Sequence, residues 1–326
     1  MLATAPDETL FGPSALHAPA ARAPGPRPAA RPAREAAAQM PVREAYEEAD
    51  RFTYLGTHEV SWLARPELGG SRCTPLCVSH RRLAKRRTLP RAVTSWMLDS
   101  GAYSELYLYG RWTVSTAEYA AAVRRYSEEI GELERASVQD WMCEPHIVKR
   151  TGLSVYDHQA RTVASYINLM WRDGELPWMP VLQGWSRDDY LRHIDMYDAM
   201  GIDLTLEPLV GLGSICRRQR TAEAVRIVEA LYGAGIRLHG FGFKATGLRA
   251  AHHLLYSSDS LAWSYSARRR PPLPGCTHKS CSNCLRYALT WRTRLLNSLP
   301  EWHQGALAVA ACTSTTRPRP ADLRVP

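Results

Sequence analysis

Between residues 52 and 263, short apolar runs alternate with longer amphipathic stretches, and this constrains the fold more than any other feature of the chain. Candidate strands are Phe52 to Leu55, Pro75 to Ser79, Ser95 to Leu98, Ser137 to Asp140, Met179 to Gln183, Thr205 to Val210, Arg237 to Phe241 and Ser260 to Trp263. Helical periodicity fills Thr116 to Glu134, Val155 to Arg172, Arg187 to Met200, Thr221 to Ala234 and Gly247 to Ser257. Parallel strands need a crossover long enough to hold a helix, so this alternation implies a parallel sheet. Eight such units predict an α/β fold closed into a (β/α)8 barrel of the TIM type. The first two units are the least regular, with no clear helix between them. A doubly wound open sheet is the alternative, although no Gly-rich phosphate loop follows an early strand.

A barrel of this kind carries its chemistry just beyond the C-terminal ends of its strands. Asp99-Ser100-Gly101, Asp140, Gln183-Gly184, Gly211-Leu212-Gly213 and Gly242 all fall there, and Asp259 leads into the last strand. Singly, each is an ordinary turn former or helix cap. Their convergence on one rim marks a candidate site. Three basic runs reach the same rim: Arg81 to Arg87, Arg217 to Arg220, and Arg268 to Arg270. Such runs either track a phosphate backbone or form a solvated face. Trp141 and Trp185 adjoin site candidates and could wall a pocket or simply pack.

Near the C-terminus, Cys276, His278, Cys281 and Cys284 lie within nine residues, after the helix-breaking Pro271, Pro272 and Pro274. Thiolate and imidazole at this spacing suit one tetrahedral Zn²⁺, and four protein ligands would close its shell. The expected cofactor is therefore a structural zinc, held in a small subdomain at 275–285. The cluster calls for reduced thiols, and eight cysteines in 326 residues do not resemble a secreted disulfide framework, so the expected location is cytoplasmic. Residues 1–43 are rich in Ala, Pro and Arg and read as a disordered extension, within which Met40 is an alternative start. Residues 313–326 read as a loose tail, leaving 50–303 for the barrel. A net charge of +9 favours a polyanionic partner, nucleic acid before membrane, since no apolar run approaches the roughly 20 residues of a membrane span.

Asp99-Ser100-Gly101-Ala102-Tyr103 resembles the Asp-Ser-Gly-Gly-Phe/Tyr motif of tRNA-guanine transglycosylases. Leu182-Gln183-Gly184, Val210-Gly211-Leu212, Ser258-Asp259-Ser260 and the Cys/His cluster follow in the same order as in that family, over about Phe52 to His303. Ala102 replaces the second glycine, Ser104 stands where a glutamine is usual, and His278 replaces the middle cysteine of Cys-x-Cys-x2-Cys. These departures make the chain most similar to the DNA-acting DpdA branch, which inserts 7-deazaguanine bases into DNA.

The resemblance implies a transglycosylase that exchanges guanine for a 7-deazaguanine such as preQ0, with DNA as the polymer. Asp259 is then the nucleophile that forms a glycosyl ester, and Asp99 the acid and base that shuttles one proton. Asp140 would accept from the base. Gln183 and backbone N–H groups near Gly184, Gly211 and Leu212 would donate, with Ser100 alongside. Tyr103 would stack on the base or belong to the core. His303 is the rival fourth zinc ligand, because the tRNA enzymes take a histidine well downstream. Accessory DNA-modification proteins are further expected partners. Two other readings stay open: a tRNA-guanine transglycosylase of the queuosine or archaeosine type, and a nonenzymatic zinc-containing DNA-binding protein.

Overall fold

The computed structural model describes residues 52–69, 74–219 and 221–299. The extension 1–43, the tail 313–326, Arg220 and His303 lie outside the described residues. Nine strand segments run parallel: β1 Phe52–Thr57, β2 Leu76–Ser79, β3 Trp96–Asp99, β4 Leu133–Ser137, β5 Trp178–Met179, β6 Val181–Leu182, β7 Val210–Leu212, β8 Leu238–Gly240 and β9 Ser257–Ser260. Their order is β5-β4-β3-β2-β1-β9-β8-β7-β6. The two ends of that order, β5 and β6, are halves of one strand split at Pro180. The first half pairs with β4 and the second with β7, so the sheet closes on itself as a barrel. Proline has no N–H to give a ladder and is tolerated at such a break, while its carbonyl still accepts from the Gly211 N–H at 2.8 Å.

Between the strands lie α1 His80–Leu83, α2 Ala102–Tyr109, α3 Thr116–Ile130, α4 Pro145–Thr151, α5 Val155–Arg172, α6 Arg187–Ala199, α7 Ala222–Gly233, α8 Ala245–Ala251 and α9 Ala262–Ala267, with α10 Leu285–Leu296 beyond the last strand. Three long helices begin at reciprocal capping boxes, Ser115 with Glu118, Ser154 with Asp157 and Ser186 with Asp189. Each serine satisfies an N–H that the first turn leaves open, an effect typically worth about 1 kcal/mol. Between β1 and β2 the described residues form only short 3-10 turns, Val60–Ala64 and Pro66–Leu68.

Side chains alternate between two layers, as the period of a strand requires. Leu76, Val78, Trp96 and Leu98 pack outward into the main core beneath the helices, while their neighbours Cys77 and Met97 join Tyr54, Met179 and Leu209 in a separate inner cluster. Filling the inside with side chains makes the barrel a packed floor rather than a pore.

Three strands and two helices differ from the sequence expectation. The fourth strand is Leu133–Ser137, upstream of the expected Ser137 to Asp140, because Gly131 and Glu132 take positive φ and end α3 at Ile130 instead of Glu134. The strand expected at Thr205 to Val210 is Val210–Leu212. Asp203 Oδ1 accepts from the Thr205 N–H and hydroxyl, folding this stretch into a turn, and Pro208 offers no N–H. The last strand is Ser257–Ser260 rather than Ser260 to Trp263, and the preceding helix ends at Ala251 rather than Ser257. No described helix is long and apolar enough to cross a membrane.

Candidate active site

A cavity of about 240 Å³ opens at the C-terminal mouth of the barrel. That is slightly below the usual range of roughly 300–1,000 Å³ for ligand pockets, a size suited to a compact planar ligand. Asp99, Tyr103, Asp140, Gln183 and Asp259 all line it, brought together from strands, loops and the start of α2, up to 160 positions apart in the chain. Ser100, Gly184, Gly211 and Leu212 stand behind the wall. Ser100 holds Asp140, the Gly211 N–H is engaged in the barrel ladder, and Leu212 packs in the outer core. Beyond β7 it is Gly213 that lines the cavity, together with Gly56 and Gly242 from other elements.

Each carboxylate has a different setting. Asp99, at the end of β3, has its pKa raised mainly by burial and further by the charge of Asp259, while the Ser79 hydroxyl and Gly101 N–H oppose the shift. Burial also pushes Asp140 up to about 7, with the charge of Asp99 adding to it against hydrogen bonds from Ser100 and Gln183. Asp259, within β9, accepts from the Gly242 N–H at 2.8 Å, and His239 Nε2 lies 3.4 Å from the same Oδ1. Gly242 sits at φ 62°, and this left-handed turn aims its N–H at the carboxylate.

A buried polar chain runs from Asp140 into the wall. The Gln183 amide is 2.5 Å from Asp140 Oδ2 on one side and 2.6 Å from the Ser214 hydroxyl on the other. That hydroxyl also accepts from the Cys143 N–H at 2.7 Å and lies 2.8 Å from the buried Glu144. Ser214 has one hydrogen for two acceptors when the Gln183 nitrogen faces an ionised Asp140, so one acceptor goes unserved. If Asp140 is protonated and the amide is reversed, every link is satisfied: Asp140 donates to Gln183, Gln183 to Ser214, and Ser214 to Glu144. The protonation of Asp140 and the orientation of Gln183 are therefore linked. A side chain at Gly213 would place its Cβ 2.2 Å from the Gln183 amide nitrogen, so only glycine leaves room for this chain.

His239, Ser214 and Glu144 are site residues that sequence reasoning missed. His239 is buried between the Ser257 hydroxyl, 2.8 Å from Nδ1, and Asp259. Its only sequence signal is its inward register on β8, where His239 pairs with Ser257 of β9. Trp141 and Trp185 do not wall the cavity. Arg161 lies over Trp141, and Arg218 over Trp185. Arg218 is also paired with Glu223 at 3.3 Å, which removes it from any phosphate track, while Arg217 and most of Arg81 to Arg87 remain exposed.

The Cys/His cluster lies between α9 and α10. Its four ligand atoms fall within 4.8 Å of one another, with Cys276 and Cys281 sulfurs 3.9 Å apart. A tetrahedral ion with bonds near 2.3 Å has sulfur–sulfur edges of about 3.8 Å, so the set fits a metal. Arg286 reaches Cys276 Sγ at 3.0 Å and the Leu273 N–H reaches Cys281 Sγ at 3.3 Å, donors that suit thiolates bound to a cation. Asn283 ties the loop to Glu59 beyond β1 at 2.9 Å.

Two carboxylates with separated environments, a third beside an amide, a base-sized cavity and a remote Cys/His cluster form one ensemble, and a family comparison decides which. The family model for DeoxyPurine in DNA protein A, DpdA, matches residues 49–318. The chain belongs to the DpdA family. No curated protein matches it. Membership of this DNA-modifying, transglycosylase-like family agrees with the barrel, the rim site and the Cys/His cluster.

Proposed function

We propose that this DpdA family member exchanges guanine in DNA for a 7-deazaguanine base through a glycosyl ester on Asp259. The observation that carries the reading is the convergence of Asp99, Asp140, Gln183 and Asp259 on one cavity. Both contacts to Asp259 fall on Oδ1, leaving Oδ2 to bond C1′ of the sugar as the bond from C1′ to the purine breaks. The raised pKa of Asp99 lets it hold a proton and give it to the nitrogen that carried the sugar. The incoming base then returns a proton to Asp99, and its freed nitrogen attacks C1′ and releases Asp259. Ionised Asp140 accepts from the N1–H and amino group of guanine, while the Gln183 nitrogen donates to O6. Zinc bound by Cys276, His278, Cys281 and Cys284 would hold the loop between α9 and α10.

Purified protein given DNA and tRNA in parallel with labelled 7-deazaguanine should label the DNA. Label in tRNA alone would replace this reading with the tRNA activity.

Asp140 also sets a pH dependence. Below its pKa it carries a proton and presents a donor; above it, two acceptors face the base. Binding of free guanine, followed by calorimetry from about pH 5.5 to 8, should tighten through about pH 7. Asp140→Asn should bind weakly and show no such rise. An unchanged profile in the variant would remove Asp140 from base recognition.

A further inference from the structure

We infer that the aromatic outer face of α2, with α4 and Arg217, is a stacking platform for the base next to the target guanine, so that the substrate is unpaired DNA. This rests on the base-exchange reading above. Tyr103 lines the cavity, and Tyr107 one turn further along α2 stacks on it with centroids 5.6 Å apart and rings 10° from parallel. His146 of α4 stands edge-on to both rings, at 6.2 and 6.4 Å. Arg217 lies 4.9 Å from the Tyr103 ring centre and donates to its hydroxyl. The ladder thus leads from inside the pocket to Tyr107, which is 52% exposed.

Charge identifies the occupant. The only acid within α2 or α4 is Glu105, which is buried and paired with Arg81, and Glu144 at the start of α4 is buried as well. Lys149 and Arg150 on α4, Arg111 just beyond α2 and Arg217 beside Tyr103 are exposed. Exposed aromatic faces on helices that carry exposed cations and no exposed carboxylate suit a polyanion whose bases are free to stack, as in single-stranded nucleic acid. In a duplex the neighbouring base is held between its own stacking partners and cannot reach Tyr107. With the guanine beside Tyr103, the next base of an unpaired strand meets the next ring of the ladder.

A short labelled oligodeoxynucleotide with one guanine tests this, with the base present or absent at each neighbouring position. Removing one neighbouring base should weaken binding to the natural protein about tenfold. The same removal should cost Tyr107→Ala nothing further, while Tyr107→Trp should behave like the natural protein. A merely structural tyrosine gives no such coupling. Equal loss in the natural protein and Tyr107→Ala would overturn the inference, as would coupling with an RNA oligonucleotide and none with DNA. Coupling without base exchange in the same samples would uphold the platform and remove the exchange reading. Exchange without coupling would remove the platform alone.

Discussion

Asp259→Asn is expected to abolish base exchange together with the denaturation-resistant protein–DNA adduct. The substitution preserves shape, and an asparagine carbonyl can still accept from the Gly242 N–H. What it removes is the carboxylate nucleophile, and a neutral amide cannot replace it at C1′. Asp99→Asn should act differently. It leaves Asp259 intact and slows proton transfer, typically by about 10²–10⁴-fold, so an adduct still accumulates on long incubation. The two settings explain the division. Asp99 lies where burial and the charge of Asp259 favour holding a proton, whereas Asp259 is aligned by a backbone N–H and by His239. Peptide mapping of a trapped adduct separates these roles, and attachment anywhere but Asp259 overturns the nucleophile assignment even if exchange itself is observed.

Legibility in the sequence followed how local each determinant is. Helices α3, α5 and α6 could be read to within a residue at their starts because Ser115, Ser154 and Ser186 carry the capping signal within four positions. Asp99 and Gln183 could be picked out as cavity candidates because Asp99 ends and Gln183 follows a short apolar strand. Strand β9 was misplaced because its four residues, Ser-Ser-Asp-Ser, are all polar and their partners are distant in the chain. Ser257 meets His239, Ser258 meets Thr53 and Asp259 meets Gly242. A strand whose inward residues serve a polar site has no apolar alternation to find. Glu144 and Ser214 were invisible for the same reason, since their pairing across 70 positions is created only when the barrel closes. The backbone donors expected from Gly211 and Leu212 rested on strand ends set two residues early, and the chain places Gly213 at the cavity instead.

Removing the metal should have the second large effect, on stability rather than chemistry. Elemental analysis is expected to find about one zinc per chain, as a closed four-ligand structural site requires. Cys276, Cys281 and Cys284 pack on the main core beside Leu273, Leu285 and Ala288, so the ion would pin the α9 to α10 connection to the barrel wall. Without it the buried Cys281, whose pKa burial raises, would hold its proton as a thiol, and no ion would tie the four side chains together. Structural zinc binding is worth about 10–16 kcal/mol in small zinc domains, and part of that would hold this loop. With a shift of roughly 2–4 °C per kcal/mol for a domain of this size, Cys281→Ala or a strong chelator should lower Tm by about 10 °C or more. Cys281 is the ligand for this test because it is fully buried and touches both Cys276 and His278. The fourth ligand is settled by a second pair of variants: Cys284→Ala should lose zinc and His303→Ala should retain it. The reverse pattern would move the fourth bond to His303, and full metal content in Cys281→Ala would dismiss the cluster as a zinc site.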